Sequence, residues 1–537
     1  MRARSDPRII AGVAALTAIA VLVGGAFAGL LVEGAAELPR ALGAFDAYFV
    51  RVALFTLWQA ALSTLLSVGP AILIARALSR HPAFPGRGLI LKLFGLPLAL
   101  PAIVAALGVL SLYGRAGYFA GLLTWLAGGN WPGIYGLAGI LVAHVFFNLP
   151  LATRFLLEAL DTVPPDQWRL ASQLGMGAGP AFRLLEWPVL RSAIPGVAGL
   201  VFMLCVTSFT IVLTLGGGPA ATTLEVAIYQ ALRFDFDPAR AVALTIGQIG
   251  LTIAAVWLLT RLGRDPARDA SLGVSARRYL AVGTPETLAN AALILLAVLF
   301  VVGPLAATLA AGLASDLARL AGETSVQRAG LTSLLLATLS ALFAVLLSLA
   351  LVGARHALAS GRRTGGASLL ERLVDTGASF VLVVPPIVIG AGWFVAMRHV
   401  GDVFAIAPFM VVAVNAVMAM PFVVRAVRPA YDAAAARHDR LAASLGIAGW
   451  NRFRLVDWPA IRLPLATGLA FAMALSLGDL GVIALFGSDA MKTLPFLLFE
   501  RMGSYRTSDA AGLALIIAML CLSLMTLADH LARGRSA

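Results

Sequence analysis

Twelve long apolar stretches divide this chain. They lie near residues 9–31, 52–76, 89–113, 133–157, 196–217 and 240–262, then 287–311, 329–353, 376–397, 404–426, 464–486 and 509–531. Each holds about 20 residues or more, the length at which an α-helix crosses ~30 Å of hydrocarbon. A β-barrel would instead alternate apolar and polar positions in segments of about ten. The pattern therefore predicts an all-α polytopic membrane protein with about 12 transmembrane helices. The first stretch follows Arg2, Arg4 and Arg8, and Ala26-Phe-Ala28 imitates a cleavage site. Its ~23 apolar residues exceed the core of a signal peptide, so it is expected to remain as a span.

The polar positions carry a second pattern, a segment that occurs twice at an interval of 271 residues. One copy reads Arg169-Leu-Ala-Ser-Gln-Leu-Gly175 and then Phe182-Arg-Leu-Leu-Glu-Trp187-Pro188. The other reads Arg440-Leu-Ala-Ala-Ser-Leu-Gly446 and then Phe453-Arg-Leu-Val-Asp-Trp458-Pro459. Pro150 and Arg154 recur as Pro421 and Arg425, and Ala60, Leu62, Ser63 and Leu65 recur as Ala337, Leu339, Ser340 and Leu342. The chain thus reads as two six-helix repeats, 1–265 and 287–537, with 266–286 as a cytoplasmic linker. The stretch around that linker carries Arg264, Asp265, Arg268, Asp269, Arg277 and Arg278. An even number of spans per repeat makes the two repeats parallel, related by an axis along the membrane normal.

Charge then orients the spans. Only 12% of residues are charged against 60% hydrophobic, whereas soluble domains carry about 25% charge. The net charge of +13 would point to nucleic acid in a soluble protein, but in a membrane protein it marks cytoplasmic loops. The loop after the second stretch has Arg76, Arg80, Arg87 and Lys92, and that after the eighth has Arg355, Arg362, Arg363 and Arg372. The loops after the third and ninth hold little beyond Arg115 and Arg398. Both termini and both copies of the repeated segment are expected in the cytoplasm. Cys205 and Cys521 sit in apolar runs as small core hydrophobes and suggest neither a disulfide nor a metal site. The two lysines follow Leu91 and Met491, so no phosphate-binding Gly-x-x-x-x-Gly-Lys loop exists, and any ATP must be hydrolysed on a partner chain.

Each copy of the segment reads as a helix, a glycine break and a second short helix. Leu170, Ala171 and Leu174 share one face, and Gly175 can supply the left-handed residue that ends a helix. Aromatic Phe182 and Trp187 precede Pro188; Gly446, Phe453, Trp458 and Pro459 repeat the arrangement. Exposed aromatic and small residues bracketed by arginine suit docking into a groove on another protein.

This frame resembles the inner-membrane permeases of binding-protein-dependent ATP-binding-cassette importers. Their signature is Glu-Ala-Ala, three residues, Gly, nine residues, Ile-x-Leu-Pro. Anchored on Gly175 and Gly446 it places prolines at Pro188 and Pro459, as found. The acidic position instead holds Arg169 and Arg440, and the first alanine position holds Leu170 and Leu441; Ala171 and Ala442 keep the second. Within that family, Ser208-Phe-Thr-Ile-Val-Leu-Thr-Leu-Gly-Gly-Gly-Pro219, Glu225-Val-Ala-Ile-Tyr-Gln-Ala-Leu-Arg233, Val384-Pro-Pro-Ile387 and Ser476-Leu-Gly-Asp-Leu-Gly481 resemble the thiamine-transport permeases. The fused iron(III) permeases share the duplicated architecture. The resemblance implies a type I importer permease fold in the bacterial inner membrane with no cofactor and no covalent chemistry. Its implied partners are two copies of a cytoplasmic ATPase subunit, one per segment, and a periplasmic substrate-binding protein. A secondary transporter with twelve spans would be expected to carry several intramembrane acids.

Few ionisable groups lie inside the spans. Asp479, between Gly478 and Gly481, replaces Ser208 of the first repeat; its carboxylate either faces a cationic substrate or, near the periplasmic end, pairs with an arginine or caps a helix break. His144 and its counterpart Asn415 suit interhelical hydrogen bonding or the substrate path. No second His or carboxylate stands at ligand spacing from His144, so no metal site is expected. Loops 218–239 and 487–508 carry mixed charge and aromatics, including Glu225, Tyr229, Arg233, Phe234 and Asp235, and Phe496, Glu500, Arg501, Tyr505 and Arg506. They are candidate docking surfaces for the binding protein or amphipathic helices at the membrane surface.

Overall fold

The computed structural model describes residues 6–262, 283–360, 368–381, 384–447, 449–489 and 491–533. The charged residues of the expected linker, from Arg264 to Arg278, lie outside the described residues. In chain order the principal helices are α1 (Pro7–Ala36), α2 (Ala47–Arg80), α3 (Ala102–Tyr113), α4 (Leu137–Asp161), α5 (Pro165–Gln173), α6 (Trp187–Val206), α7 (Phe209–Leu215), α8 (Leu224–Arg233) and α9 (Pro238–Leu262). There follow α10 (Thr284–Leu313), α11 (Thr324–Ser360), α12 (Pro386–Met397), α13 (Ala407–Ser444), α14 (Trp458–Leu477), α15 (Gly481–Phe486), α16 (Leu494–Gly503) and α17 (Thr507–Arg533). The only β pairing among the described residues is an isolated bridge between Ser488 and Met491.

Among the described residues, ten helices are long and apolar enough to cross a membrane. They match ten of the twelve expected stretches, and proline breaks the other two. Helix Arg87–Ala99 meets α3 at 111°, with Pro101 as the N-cap of α3. The ninth stretch is divided into Leu369–Phe380 and α12, whose N-cap is Pro385 and first residue Pro386. Proline removes a backbone donor and pushes the preceding residue out of the helical region, so neither stretch continues as one helix. Spans five and eleven also differ from expectation. They begin at Ala178 and Gly449 and stop at Val206 and Leu477, well before 217 and 486, and the short helices α7 and α15 follow each break.

Two compact units emerge from packing. Unit 1 comprises 1–44, 228–245 and 315–537, and unit 2 comprises 45–227 and 246–314. These packing units and the sequence repeats are different divisions of the same chain. In unit 1, α1 lies on α11 and α12 through small residues: a Cβ on Gly12 would collide with Ala354 Cβ, and one on Gly392 with the Ala26 carbonyl oxygen. Lipid offers no hydrophobic drive for helix association, so such close backbone approach supplies the dispersion contact instead. Trp393 Nε1 donates to Leu22 O at 2.7 Å, and buried Glu33 of α1 pairs with Arg398 and His399. In unit 2, α2 packs on α4 and α6, with Ala60, Leu78, Leu156, Leu160 and Val201 in its core. There α10 joins α3, where a Cβ on Gly108 would come within 2.6 Å of the Pro304 carbonyl oxygen.

The repeat is visible in a shared anchor. Thr56 Oγ1 of α2 accepts from Leu224 N at 3.0 Å, and Ser333 Oγ of α11 accepts from Leu494 N at 2.8 Å. Each hydroxyl satisfies an orphan N–H at the start of α8 or α16.

Candidate coupling segments and translocation path

Both copies of the repeated segment adopt the same local structure. Helix α5 ends at Gln173 with Leu174 as its C-cap, Gly175 takes φ +64°, and Met176 N returns to Ala171 O at 3.0 Å. In the second copy α13 ends at Ser444, Gly446 takes φ +65°, and Ile447 N returns to Ala442 O at 2.9 Å. This is the C-terminal motif in which a left-handed glycine closes a helix. A four-residue helix follows, Ala178–Ala181 or Gly449–Arg452, and then a single π-turn, Phe182–Glu186 or Phe453–Asp457. Pro188 and Pro459 lack an N–H, and the wider turn lets Trp187 N reach Phe182 O and Trp458 N reach Phe453 O. The chain then runs directly into α6 or α14, so the second element is the start of a span rather than a separate short helix.

The exposed faces of the two copies match. Leu170, Leu174, Leu184 and Trp187 are 41–63% exposed, and Leu441, Leu445, Leu455 and Trp458 are 42–64% exposed. Ala171 and Ala442 are buried beneath them. Apolar side chains left this open at corresponding places form a repeated exposed apolar surface. Phe182 lies 5.9 Å from Trp187, and Phe453 lies 6.1 Å from Trp458. Arg169 pairs at 3.3 Å with Asp166 on the surface, and Arg440 is exposed.

The two copies are held to the protein differently. Pro164 and Pro165 separate α5 from α4, whereas Ala435 and Ala436 at the matching positions let α13 continue unbroken. Trp168, fully buried against Val163, Leu185 and Val189, anchors the first copy; its counterpart is Asp439. Buried Glu186 accepts from Arg76 Nε at 2.7 Å and from Arg80 Nε at 3.1 Å, both on α2. The Arg76 guanidinium also covers the Phe182 ring at 4.6 Å. In the second copy Gly353 and Ala357 take those arginine positions. There Arg452 donates to Asp439 Oδ1 at 2.6 Å and stands 3.6 Å from Asp457, while Trp450 stacks on Phe453 at 5.3 Å. Neither Glu186 nor Trp168 stood out in the sequence. The recurrence of an acid immediately before Trp-Pro was the available signal.

The intramembrane candidates fall in both units. In unit 2, His144 Nδ1 lies 2.9 Å from Ser63 Oγ, and Ser208 is the N-cap of α7. In unit 1, Asn415 Nδ2 donates to Ser476 Oγ at 3.0 Å, and Asp479 N lies 3.3 Å from Ser476 O. Asp479 Oδ1 accepts from Gly481 N at 3.0 Å and so caps the start of α15. Its second oxygen is buried without a partner. Asp479 therefore has one oxygen committed to the break after α14 and one free.

Residues 357–536 match the model of the binding-protein-dependent transport system inner membrane component. The thiamine transport system permease protein ThiP of Brucella abortus is 57% identical over 526 residues, 98% of this chain and 96% of its own. That of Salmonella typhimurium is 42% identical over 90% of each chain, and that of Haemophilus influenzae is 37% identical over 95% and 94%. The chain belongs to the ThiP family of binding-protein-dependent transport permeases. It is thus a multi-pass inner-membrane subunit of an importer.

In this permease several residues of loops 218–239 and 487–508 are not on the surface. Glu225, Tyr229, Phe496 and Arg501 are buried, Arg501 between Glu323 and Asp509. Glu500 pairs with Lys492 at 2.9 Å, and Arg233 donates to Gly487 O at 2.7 Å. Phe234, Asp235, Tyr505 and Arg506 stay exposed.

Burial raises the Glu225 carboxyl to about 8, because no partner replaces the water its charge would lose. A folded-state pKa above the unfolded value stabilises the protein at acid pH, and that stability is lost as pH climbs through about 8. Glu225→Gln is therefore expected to melt ~2 °C or more above the parent at pH 8.5, with the gap closing toward pH 5. Thermal unfolding of the detergent-purified permease at both pH values checks this; a gap independent of pH would remove burial of the charge as its cause.

Proposed function

We propose that this permease moves thiamine or its phosphates inward across the inner membrane. Two copies of a cytoplasmic ATP-binding-cassette subunit drive it, one at 158–195 and one at 429–467, and a periplasmic binding protein supplies the substrate. The two repeats, 1–265 and 287–537, each contribute one coupling segment, and arginine placement puts both termini in the cytoplasm. The observation that carries the coupling is the pair of leucine–tryptophan faces, 41–64% exposed in both copies. The substrate reading is supported by relatives named for thiamine transport along nearly the whole chain. Closure of the ATPase pair on ATP would draw the segments together and alternate access to the substrate path, for which Asp479 and Asn415 of unit 1 and Ser208 and His144 of unit 2 are the separate candidates. The free oxygen of Asp479 is suited to a positively charged ring.

ATP hydrolysis by the permease reconstituted with its ATPase and binding protein tests this. Thiamine or thiamine diphosphate is expected to stimulate hydrolysis severalfold, and ferric ion is not. Stimulation by ferric ion alone would overturn the substrate, and failure to retain any ATPase subunit would overturn the coupling. Asp479→Asn keeps an acceptor for Gly481 N while removing the charge, so thiamine uptake is expected to fall about tenfold, the worth of one charge-assisted contact.

A further inference from the structure

Two residues other than glycine take positive φ among the described residues: Phe236 at +52° and Tyr505 at +58°. They occupy the same turn in the two repeats. Phe236 lies between α8 and α9, two residues before Pro238, and Tyr505 lies between α16 and α17, two residues before Thr507. Each is held by backbone bonds that close the preceding helix, Arg506 N to Arg501 O at 3.0 Å and Asp237 N to Ala231 O at 2.9 Å. At Gly175 and Gly446 the chain uses glycine for this left-handed residue, where it costs nothing. At these two turns it bears a strained aromatic instead, and strain of this kind is kept where the side chain is needed. The aromatics are 80% and 92% exposed, so packing within the fold does not explain them.

Both turns belong to unit 1 and to one end of it. Arg233, three residues before Phe236, donates to Gly487 O and covers Phe404 at 5.3 Å, which ties the first turn to the loop leading into α16. That end is opposite the coupling segment, because α14 carries the chain ~30 Å away from Trp458 over its 20 residues. The turns are rigid supports. Asp237 caps α9 by accepting from Arg240 N at 3.0 Å. Beside Tyr505, buried Arg501 is locked to Asp509 at 2.7 Å and to Glu323. Rigid, exposed aromatics of low side-chain entropy are the residues that dominate protein–protein contacts.

We propose that Phe236 and Tyr505 are paired aromatic anchors, one from each repeat, on which the periplasmic substrate-binding protein docks. This rests on the importer reading above and adds the residues that receive the partner. Transport in this family depends on a binding protein, and a soluble partner delivering to a duplicated permease meets both repeats at once. The rival occupant is the lipid headgroup layer, where aromatics also gather.

The test is association of the soluble thiamine-binding protein, recovered from the same cells on immobilised thiamine, with the permease–ATPase complex in nanodiscs. Coupling failure shows in the unmutated complex as lost ATPase retention, and is thereby separated from failure of this inference. Phe236→Asn with Tyr505→Asn keeps residues that tolerate the left-handed turn and is expected to weaken binding at least tenfold. Phe236→Gly with Tyr505→Gly relieves the strain, so it should melt no lower than the parent yet bind as weakly. Phe236→Tyr with Tyr505→Phe should restore binding to within twofold. Parent-like affinity of the asparagine and glycine pairs would overturn the proposal. So would indole fluorescence of Phe236→Trp with Tyr505→Trp that brominated lipid quenches and the binding protein leaves unchanged.

Discussion

Gly446→Pro is expected to abolish ATP-driven thiamine uptake while the permease still inserts in the membrane. Proline fixes φ near −65°, and Gly446 sits at +65°. The substitution also deletes the donor of the Gly446 N to Ala443 O bond at 3.3 Å. The local cost is ~3 kcal/mol or more, enough to turn the exposed leucines away from the docking face. The site lies in a surface segment, so the spans are spared. Gly446→Asn, which tolerates the left-handed region, should keep most of the activity. Trp458→Ala removes an exposed indole without touching the backbone and should cut uptake about tenfold or more, as loss of an interface aromatic does. Uptake into proteoliposomes and co-purification of the ATPase subunit are the measurements. Full transport in both Gly446→Pro and Trp458→Ala would end the coupling assignment.

Glu186→Ala should uncouple the first segment more severely than Asp457→Ala uncouples the second. Glu186 is fully buried and Arg80 nearly so, with side chains 0% and 7% exposed. Removing the acid strips Arg76 of its carboxylate and leaves Arg80 paired with Glu286 alone, a loss of about 3 kcal/mol for a buried pair. It also removes the ionic tie between the segment and α2, leaving the Ala178 carbonyl to accept from Arg76 at 3.4 Å and from Arg80 at 3.1 Å. Continued ATP hydrolysis with uptake at least tenfold lower is the expected signature. Asp457 has one, longer ion pair, 3.6 Å from Arg452, which keeps Asp439 at 2.6 Å when Asp457 is lost. Less is therefore lost in the second copy than with the two shorter contacts of Glu186 at 2.7 and 3.1 Å. Thermal unfolding and uptake of the two variants decide between these; equal losses would show that the tethers are interchangeable.

Much of the candidate site was legible in the amino-acid sequence. The 271-residue interval located both copies of the repeated segment, and Gly175 and Gly446 do take the left-handed conformation expected of them. The π-turns were not legible, because they answer the missing donors of Pro188 and Pro459 through a hydrogen-bond register that residue type does not encode. The broken third and ninth stretches were missed for a related reason. Hydropathy averages over a window, so Pro101 and the Pro385-Pro386 pair vanish into apolar sums although each ends a helix. Glu225 and Arg501 counted as loop charges in the sequence, yet the fold buries both.

What the sequence alone determined is the part set by each residue's own chemistry. Transfer of apolar side chains to lipid places the spans, arginine placement gives an expected orientation, and the repeat marks the candidate surface for a partner. Only the tertiary structure decided which helices share a unit, how Glu186 and Asp457 are held, and that Phe236 and Tyr505 stand strained in the open. Those outcomes depend on shape and charge meeting between segments far apart in the chain. Gly12 against Ala354 and Arg80 against Glu186 are such meetings. No local pattern reports a partner a hundred or more residues away.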